Sequence, residues 1–453
     1  MYMKNIEQVI LPIVRGFFFC AIALQIIFGI VYIGKNFMAV PQFRDTTIYL
    51  EMAERLVVDE YTGILYPVFI KICKFITTIP YQIPIYIIQI VAGIGCVYYI
   101  VRTWTGRKVF AFICALWINT IPFVAQVHMT VLPHSLAMTC LLFMGFQVLR
   151  GSTHYRALTM MEWAKLLCGF VILAQLDRVY LLPGMLFVVW AMFLQLYHAT
   201  HKALMFGVGV LIGIGMLIVN LAIYEVSQAP GSYGRSQRTL ASALFDRVGI
   251  VTLNNKYRIY MPQEVFDTFG GDTLDYISRY PHKVQEEFKS KLEDKYEKER
   301  MNEVYFELAK LGLRTATKEN VVKYATDVVH YAIPLGGYFS WQDGELKGTT
   351  GWNYQQFISE APAFSVCYAK ICNYLWGILF GISICGCIIR GIQCRKWHLR
   401  MWIPIVGYVL IYAMYFAFGG TDVYDYKKAL LPMVMSYVPI CFWALQYILK
   451  RFE

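Results

Sequence analysis

Long apolar runs separated by short polar connections make up most of the chain, and they predict membrane-spanning helices. Crossing about 30 Å of hydrocarbon takes roughly 20 apolar residues. The predicted spans are 16–34, 82–101, 109–127, 131–149, 166–177, 179–197, 204–224, 368–389, 402–419 and 430–448. The fifth, LLCGFVILAQLD, is short enough to end inside the membrane. The start, MYMKNIEQVILPIVRG, leads into the first span without a small-residue cleavage site, so we expect a retained helix and not a signal peptide.

Two longer connections interrupt the spans. The first, 35–81, contains VPQFRDTTIYLEMAERL and an apolar segment at 64–76 that is too short to cross, which predicts helices lying at the interface. The second, 225–366, is large enough for a small domain, and its charged stretch predicts a mostly helical fold. The pattern therefore predicts an all-α polytopic membrane protein. Its parts are an N-terminal transmembrane module 1–224, an extracytoplasmic domain 225–366 and a C-terminal transmembrane module 367–453.

Composition supports this class and gives the chain an orientation. The residues are 58% hydrophobic and 16% aromatic, and the mean hydropathy is +0.48, which excludes an ordinary soluble protein. Lys and Arg concentrate in one set of short connections, which predicts a multi-pass plasma or inner membrane protein with both termini cytoplasmic. This bias accounts for the net charge of +11, so nucleic-acid binding is not predicted. Most of the 12 cysteines lie in apolar spans, where packing explains them.

Polar side chains collect at the predicted outer ends of the helices, whereas the span interiors hold few ionisable residues. Ionisable groups within spans would mark an ion or proton pathway. The outer-end residues are Asp45, Asp59, Glu60, His128, His134, Asp177, Arg178, Asp422, Asp425, Lys427 and Lys428. Their mixture of carboxylates, histidines and cations favours chemistry at the extracytoplasmic face over a solvated linker.

The stretch FRDTTIYLEMAERL, followed by GILYPVFIKI, resembles the first outer loop of the GT-C superfamily of polytopic glycosyltransferases. The likeness is to the protein-mannosyltransferase and aminoarabinose-transferase kind. In these proteins an Asp follows the first span, then a Tyr, a small-residue helix and a YP before an apolar segment. The matching positions are Asp45, Tyr49, Ala53, Tyr66 and Pro67. The late stretch DVYDYKKALLPMVMSYVP is similar to the C-terminal pattern of the superfamily.

The resemblance implies transfer of a sugar from a polyprenyl-phosphate donor to a hydroxyl of a glycan, lipid or protein acceptor. Such a reaction needs a base for the acceptor hydroxyl and positive charge for the departing phosphate. Asp45 is the candidate base, although its position also suits a helix N-cap or a pair with Arg44. The transfer is expected to invert the anomeric centre by single displacement. Candidates for an assisting role are Asp59, Glu60, His128 and His134.

The remaining candidates divide between donor and acceptor. Candidate ligands of the donor phosphate are Arg178, Lys427, Lys428 and Arg235. Candidate acceptor or sugar contacts are Tyr49, Tyr66, Asp177, Trp341 and Trp352. The superfamily often has an acidic pair where this chain has Asp45 followed by Thr46, and two histidines alone do not make a zinc site, so no metal site is predicted and use of a divalent metal stays open. The alternatives are a transporter or lipid flippase, and a transferase for another lipid-linked group.

Overall fold

The computed structural model describes residues 2–36, 44–56, 62–76, 79–153, 156–198, 296–332 and 399–419, with Val58 and scattered positions between 215 and 263. These residues are 88% helical and include no strand, which confirms the all-α prediction for this part of the chain. The helices are α1 Tyr2–Asn36, α2 Arg44–Arg55, α3 Leu65–Ile76, α4 Gln82–Thr105, α5 Lys108–Asn119, α6 Pro122–His128, α7 His134–Thr153, α8 Met160–Leu176, α9 Leu181–His198, α10 Lys298–Thr315, α11 Thr317–Ala332 and α12 Leu399–Gly419.

The helices follow the predicted apolar runs closely. A helix that crosses a membrane must also be long enough and apolar enough, which is a stricter requirement than forming a helix. Among the described helices, α4 alone is long and apolar enough to cross a membrane by length and composition. Shorter apolar helical segments are Phe19–Val31, Lys108–Asn119, Leu181–Tyr197 and Val406–Tyr415. The ten predicted spans are therefore not confirmed. The predicted spans 368–389 and 430–448, and most of 204–224, lie outside the described residues.

The third predicted span, 109–127, is not one helix. It divides into α5 and α6, separated by Thr120 and Ile121. The Thr120 hydroxyl donates to the carbonyls of Leu116 and Trp117, at 2.8 and 3.0 Å, and Pro122 begins α6 without a backbone N–H that would need an acceptor. With 12 residues at about 1.5 Å each, α5 is only about 18 Å long.

Helices α4, α5 and α1 pack side by side. Between α4 and α5 the chain reverses at Gly106, which has a φ of 71° and closes the end of α4 by donating its N–H to the Arg102 carbonyl. Helix α1 runs parallel to α5. Gln25 of α1 accepts a 3.1 Å hydrogen bond from the Trp117 indole, and Gly29 lies so close to Thr120 that a Cβ there would meet the threonine at 2.5 Å.

Helix α8 begins with a complete capping box. The Thr159 hydroxyl accepts from the Glu162 N–H, and the Glu162 carboxylate accepts from the Thr159 N–H at 2.9 Å. Arg156 adds two hydrogen bonds to the same carboxylate, at 2.8 and 2.6 Å. These bonds hold the pKa of Glu162 down at about 2, with the Arg156 hydrogen bonds as the largest cause.

The chain divides into two compact units. One comprises Met1–Gly231, Leu335–Val409 and Leu430–Glu453; the other comprises Ser232–Pro334 and Leu410–Ala429. In the second unit, a π-helical turn at Phe245–Gly249 packs on α10. Gly312 of α10 leaves no room for a Cβ against the Val248 carbonyl, and Asn320 donates to that carbonyl at 3.1 Å.

Candidate functional site

The first long connection, 35–81, contains two short helices, α2 and α3. Helix α2 buries one face, formed by Thr46, Tyr49, Met52 and Ala53, at the spacing of an amphipathic helix. On the exposed side, Glu54 accepts hydrogen bonds from two lysines of α3. Lys74 binds its carboxylate and Lys71 its backbone carbonyl, each at 3.2 Å.

The segment that joins α2 to α3 is held against the end of α8. Thr62 forms an isolated antiparallel bridge with Asp177. The next residue, Gly63, packs directly on the backbone of Gln175, where an added Cβ would collide with the carbonyl. A side chain at position 63 would therefore separate the two segments, and this close approach explains why glycine is needed there.

Three of the predicted acceptor contacts meet at this junction. The Tyr49 hydroxyl donates a long hydrogen bond of 3.5 Å to Asp177 Oδ2, and the Tyr49 and Tyr66 rings pack edge to face with their centroids 5.4 Å apart. All three side chains are buried. The Tyr66 hydroxyl has no hydrogen-bond partner among the described residues, so it is the unsatisfied polar group of the junction.

Asp177 also organises the turn that leads from α8 to α9. Its Oδ1 accepts from the Val179 N–H at 3.0 Å, and its carbonyl accepts from the Tyr180 N–H at 3.2 Å. The Tyr180 hydroxyl in turn lies 2.8 Å from Nδ1 of His134, the first residue of α7. The turn at 177–180 thus links the connection that holds α2 and α3 with the start of α7.

His128 lies in a separate, fully buried network. Its Nδ1 is 2.7 Å from the Ser135 hydroxyl, and its Nε2 is 2.8 Å from Asn119 Oδ1. Gln89 of α4 donates to the carbonyls of His128 and Thr130, at 2.9 Å each. Both ring nitrogens of His128 are therefore used in holding α6 to α5 and α7, and Gln89 joins α4 to the same network through backbone carbonyls.

The two charged candidates nearest to the junction are described in backbone only. Asp45 lies in the first turn of α2, one turn before Tyr49. Arg178 directly follows Asp177 and begins the short 3-10 helix Arg178–Tyr180. The other predicted site residues, Asp59, Glu60, Arg235, Trp341, Trp352, Lys427 and Lys428, lie outside the described residues.

The structure adds residues that the sequence did not single out: Thr62, Asn119, Ser135 and Tyr180. One signal was present. Asn119 and Thr120 form a polar pair inside the apolar run CALWINTIPFV, and a polar pair at that depth needs partners within the protein. The others are ordinary loop or interface residue types whose partners are 7 to 115 positions away.

The described residues contain no cluster of three His, Cys, Asp or Glu side chains that would hold a metal ion. Comparison of the chain with protein-family models, curated proteins and solved structures gives no significant match. The junction of α2, α3 and the 177–180 turn is therefore interpreted from its own geometry.

Proposed function

We propose that this protein is a GT-C-like, inverting membrane glycosyltransferase that works at the extracytoplasmic face. One observation carries the proposal: the contact of Tyr49 with Asp177, beside the Thr62–Asp177 bridge. It holds together the two segments that carry Asp45, the candidate base, and Arg178, the candidate phosphate ligand. In the sequence these residues are more than a hundred positions apart.

Exposed apolar side chains support a membrane setting. On α4, Ile87, Ile88 and Val91 are 47%, 44% and 62% exposed. Exposure of so many large apolar side chains on one helix is unfavourable in water, at about 25 cal/mol per Å² of apolar surface, and costs nothing against lipid. In the proposal these helices belong to a multi-pass plasma or inner membrane protein with cytoplasmic termini.

In the proposed reaction the Asp45 carboxylate takes the proton of the acceptor hydroxyl. The hydroxyl oxygen then forms a bond to the anomeric carbon while the bond from that carbon to the phosphate oxygen breaks, which inverts the centre. Polyprenyl phosphate leaves with the electron pair, and Arg178, with Lys427, Lys428 and Arg235, stabilises its charge. Acceptors are hydroxyls of a cell-envelope glycan, lipid or protein.

The buried Tyr66 hydroxyl supports a polar ligand at the junction. An unsatisfied buried hydroxyl costs about 1–3 kcal/mol, and a hydroxyl of the bound sugar or acceptor would relieve that cost. Tyr49 of α2 and Tyr66 of α3 are both buried. We therefore propose that Tyr49 positions α2, and that Tyr66 contacts a ligand that enters beside it.

The test is sugar transfer from a radiolabelled polyprenyl-phosphate monosaccharide by purified protein in lipid nanodiscs. We expect Asp45→Asn to lower kcat by at least about 100-fold, since a positioned base contributes about 10²–10⁴-fold, with donor binding retained. Glu51→Gln, an exposed carboxylate on the same helix, is the matched control and should transfer at the wild-type rate. Undiminished transfer by Asp45→Asn would contradict the proposed role of Asp45 as the base. Absence of donor binding by the wild type would contradict the proposal that the protein is a polyprenyl-phosphate-dependent glycosyltransferase.

A transporter or lipid flippase is the second candidate, favoured by three buried polar groups, Gln89 within α4 and Asn119 and His128 at the ends of α5 and α6. That candidate predicts movement of a fluorescent polyprenyl-phosphate analogue across proteoliposomes without transfer of sugar. The glycosyltransferase predicts transfer without such movement.

A further inference from the structure

A groove is lined by Phe19 and Ile22 of α1 and by residues of α5 from its first turn to Trp117. The two helices touch near Gly29 and Thr120 and again where Gln25 meets Trp117. On the N-terminal side of these contacts both helices line the groove, with the nearly buried Ile22, Cys114 and Trp117 at its base. The resulting groove has a volume of about 410 Å³, within the range of about 300–1,000 Å³ of ligand pockets.

The walls of the groove are apolar and its mouth is basic. The apolar lining residues are Phe19, Ile22, Val109, Phe110, Ile113, Cys114 and Trp117, and the basic ones are Arg107 and Lys108. Val109 is 75% exposed and Ile113 41% exposed, so their apolar surface is open to whatever fills the groove. Helix α5 begins at Lys108 and has no acidic residue in its first turn, so the potential at the mouth is positive.

We infer that this groove binds an anionic phospholipid, with one acyl chain between α1 and α5 and its phosphate against Arg107 and Lys108. An apolar channel that ends at two cations matches a molecule with an apolar chain that ends at an anion. The predicted orientation puts Arg107 and Lys108 on the cytoplasmic side. On that side of a membrane, basic pockets between helices bind the headgroups of anionic lipids. The inference rests on the proposed membrane setting and is independent of the transferase chemistry.

Two kinds of variant separate the headgroup contact from the acyl-chain contact. Arg107→Gln with Lys108→Gln removes both charges from exposed positions at the mouth and leaves the walls intact. Ile113→Trp places a larger side chain in the groove, whereas Phe112→Trp adds a tryptophan at the neighbouring position, which is exposed and is not part of the lining. Arg395→Gln with Lys396→Gln removes two charges from another predicted cytoplasmic connection.

The experiment is native mass spectrometry of the full chain, titrated in detergent with phosphatidylglycerol or phosphatidylcholine of identical acyl chains. We expect the wild type to bind phosphatidylglycerol about 25-fold more tightly than phosphatidylcholine, because each of the two cations contributes roughly a fivefold gain near an anionic lipid. The Arg107/Lys108 double variant should bind both lipids equally. Ile113→Trp should bind both more weakly than Phe112→Trp does, and the Arg395/Lys396 variant should bind as the wild type does.

Equal binding of the two lipids by the wild type would overturn the inference. So would full preference in the Arg107/Lys108 variant, or the same loss of preference in the Arg395/Lys396 variant. As a second measurement, phosphatidylglycerol with brominated acyl chains should quench the fluorescence of Trp117, which lines the groove, taken as the difference between wild type and Trp117→Phe. Absence of this quenching would place the lipid elsewhere even if the preference is real.

Discussion

At the scale of single residues, the two buried tyrosines of the junction differ in what their hydroxyls do. The Tyr49 hydroxyl donates to Asp177, whereas the Tyr66 hydroxyl has no partner among the described residues. The hydroxyl of Tyr66 therefore contributes nothing to the described packing, and its ring does the packing against Tyr49. Removing one or the other hydroxyl should have opposite consequences.

Tyr66→Phe should leave the unliganded protein as stable as the wild type, or more stable by up to about 1–3 kcal/mol, because it removes an unsatisfied buried hydroxyl. The same change should reduce the rise in thermal stability that saturating donor or acceptor produces. Thermal unfolding with and without the polyprenyl-phosphate sugar measures both effects. Tyr49→Phe, which loses a hydrogen bond, is the comparison and should lower the stability of the unliganded protein. A lower unfolding temperature for unliganded Tyr66→Phe would contradict the interpretation.

The two histidines also have different surroundings, which predicts different costs of substitution. His128→Leu leaves Asn119 Oδ1 and the Ser135 hydroxyl without their partner in a buried place, and we expect a loss of roughly 2–4 kcal/mol. His134→Phe keeps the edge-to-face contact with Tyr180 and loses one hydrogen bond in a half-buried place, at about 1 kcal/mol. Thermal unfolding in one detergent compares the two, and an equal loss for both variants would show that the His128 network is not structural.

At the scale of helices, the start of α8 depends on a charged group as well as on a cap. Glu162 accepts from Thr159 and Arg156 at once and is only 8% exposed. Its pKa lies well below the ordinary value of a glutamate, at about 2. A lowered pKa in the folded protein gives a stabilisation that is present above about pH 4.5 and is lost as the pH falls towards 2.

Glu162→Gln should therefore be less stable than the wild type at pH 7, by about 1.5–3 kcal/mol for charge-assisted hydrogen bonds. The difference between the two proteins should shrink as the pH is lowered from 4.5 towards 2. Unfolding temperatures measured in a citrate series check this. Glu54→Gln, on an exposed pair with Lys74, is the control, with an expected change below about 1 kcal/mol at every pH. A pH-independent difference for Glu162→Gln would mean that the carboxylate charge is not what stabilises α8.

The sequence predicts the positions of the described helices well, because they follow the apolar runs of the chain. It did not predict the break after Asn119, since a run such as CALWINTIPFV reads as continuous by hydropathy and its Thr and Pro are common inside apolar helices. For the site, outer-end polarity and the GT-C likeness select Tyr49, Tyr66 and Asp177 as acceptor contacts, together with Trp341 and Trp352, which lie outside the described residues. These two signals do not predict the pairing of His134 with Tyr180 or of His128 with Asn119, because a side-chain hydrogen bond between two separate helices or turns leaves no periodic pattern in one sequence.

At the scale of the whole molecule, the proposed orientation places α2 outside and the α4–α5 turn inside. It predicts that single cysteines at Glu51 and at Lys108, both exposed, react differently in intact cells when introduced into a chain with its native cysteines replaced. A membrane-impermeant maleimide should label Glu51→Cys only, and should label Lys108→Cys after the membrane is opened. Labelling of both positions in intact cells would contradict the proposed topology.

The short length of α5 has a consequence for the host bilayer. In the proposed membrane setting, a helix of about 18 Å is well short of the roughly 30 Å hydrocarbon layer, so α5 alone does not reach from one headgroup level to the other. In that setting, lipids beside α5 would tilt or thin locally to match the short helix, at a cost that grows with each ångström of mismatch. We therefore expect the turnover of this protein to be highest in bilayers of short-chain lipids and to decline steadily as the acyl chains lengthen.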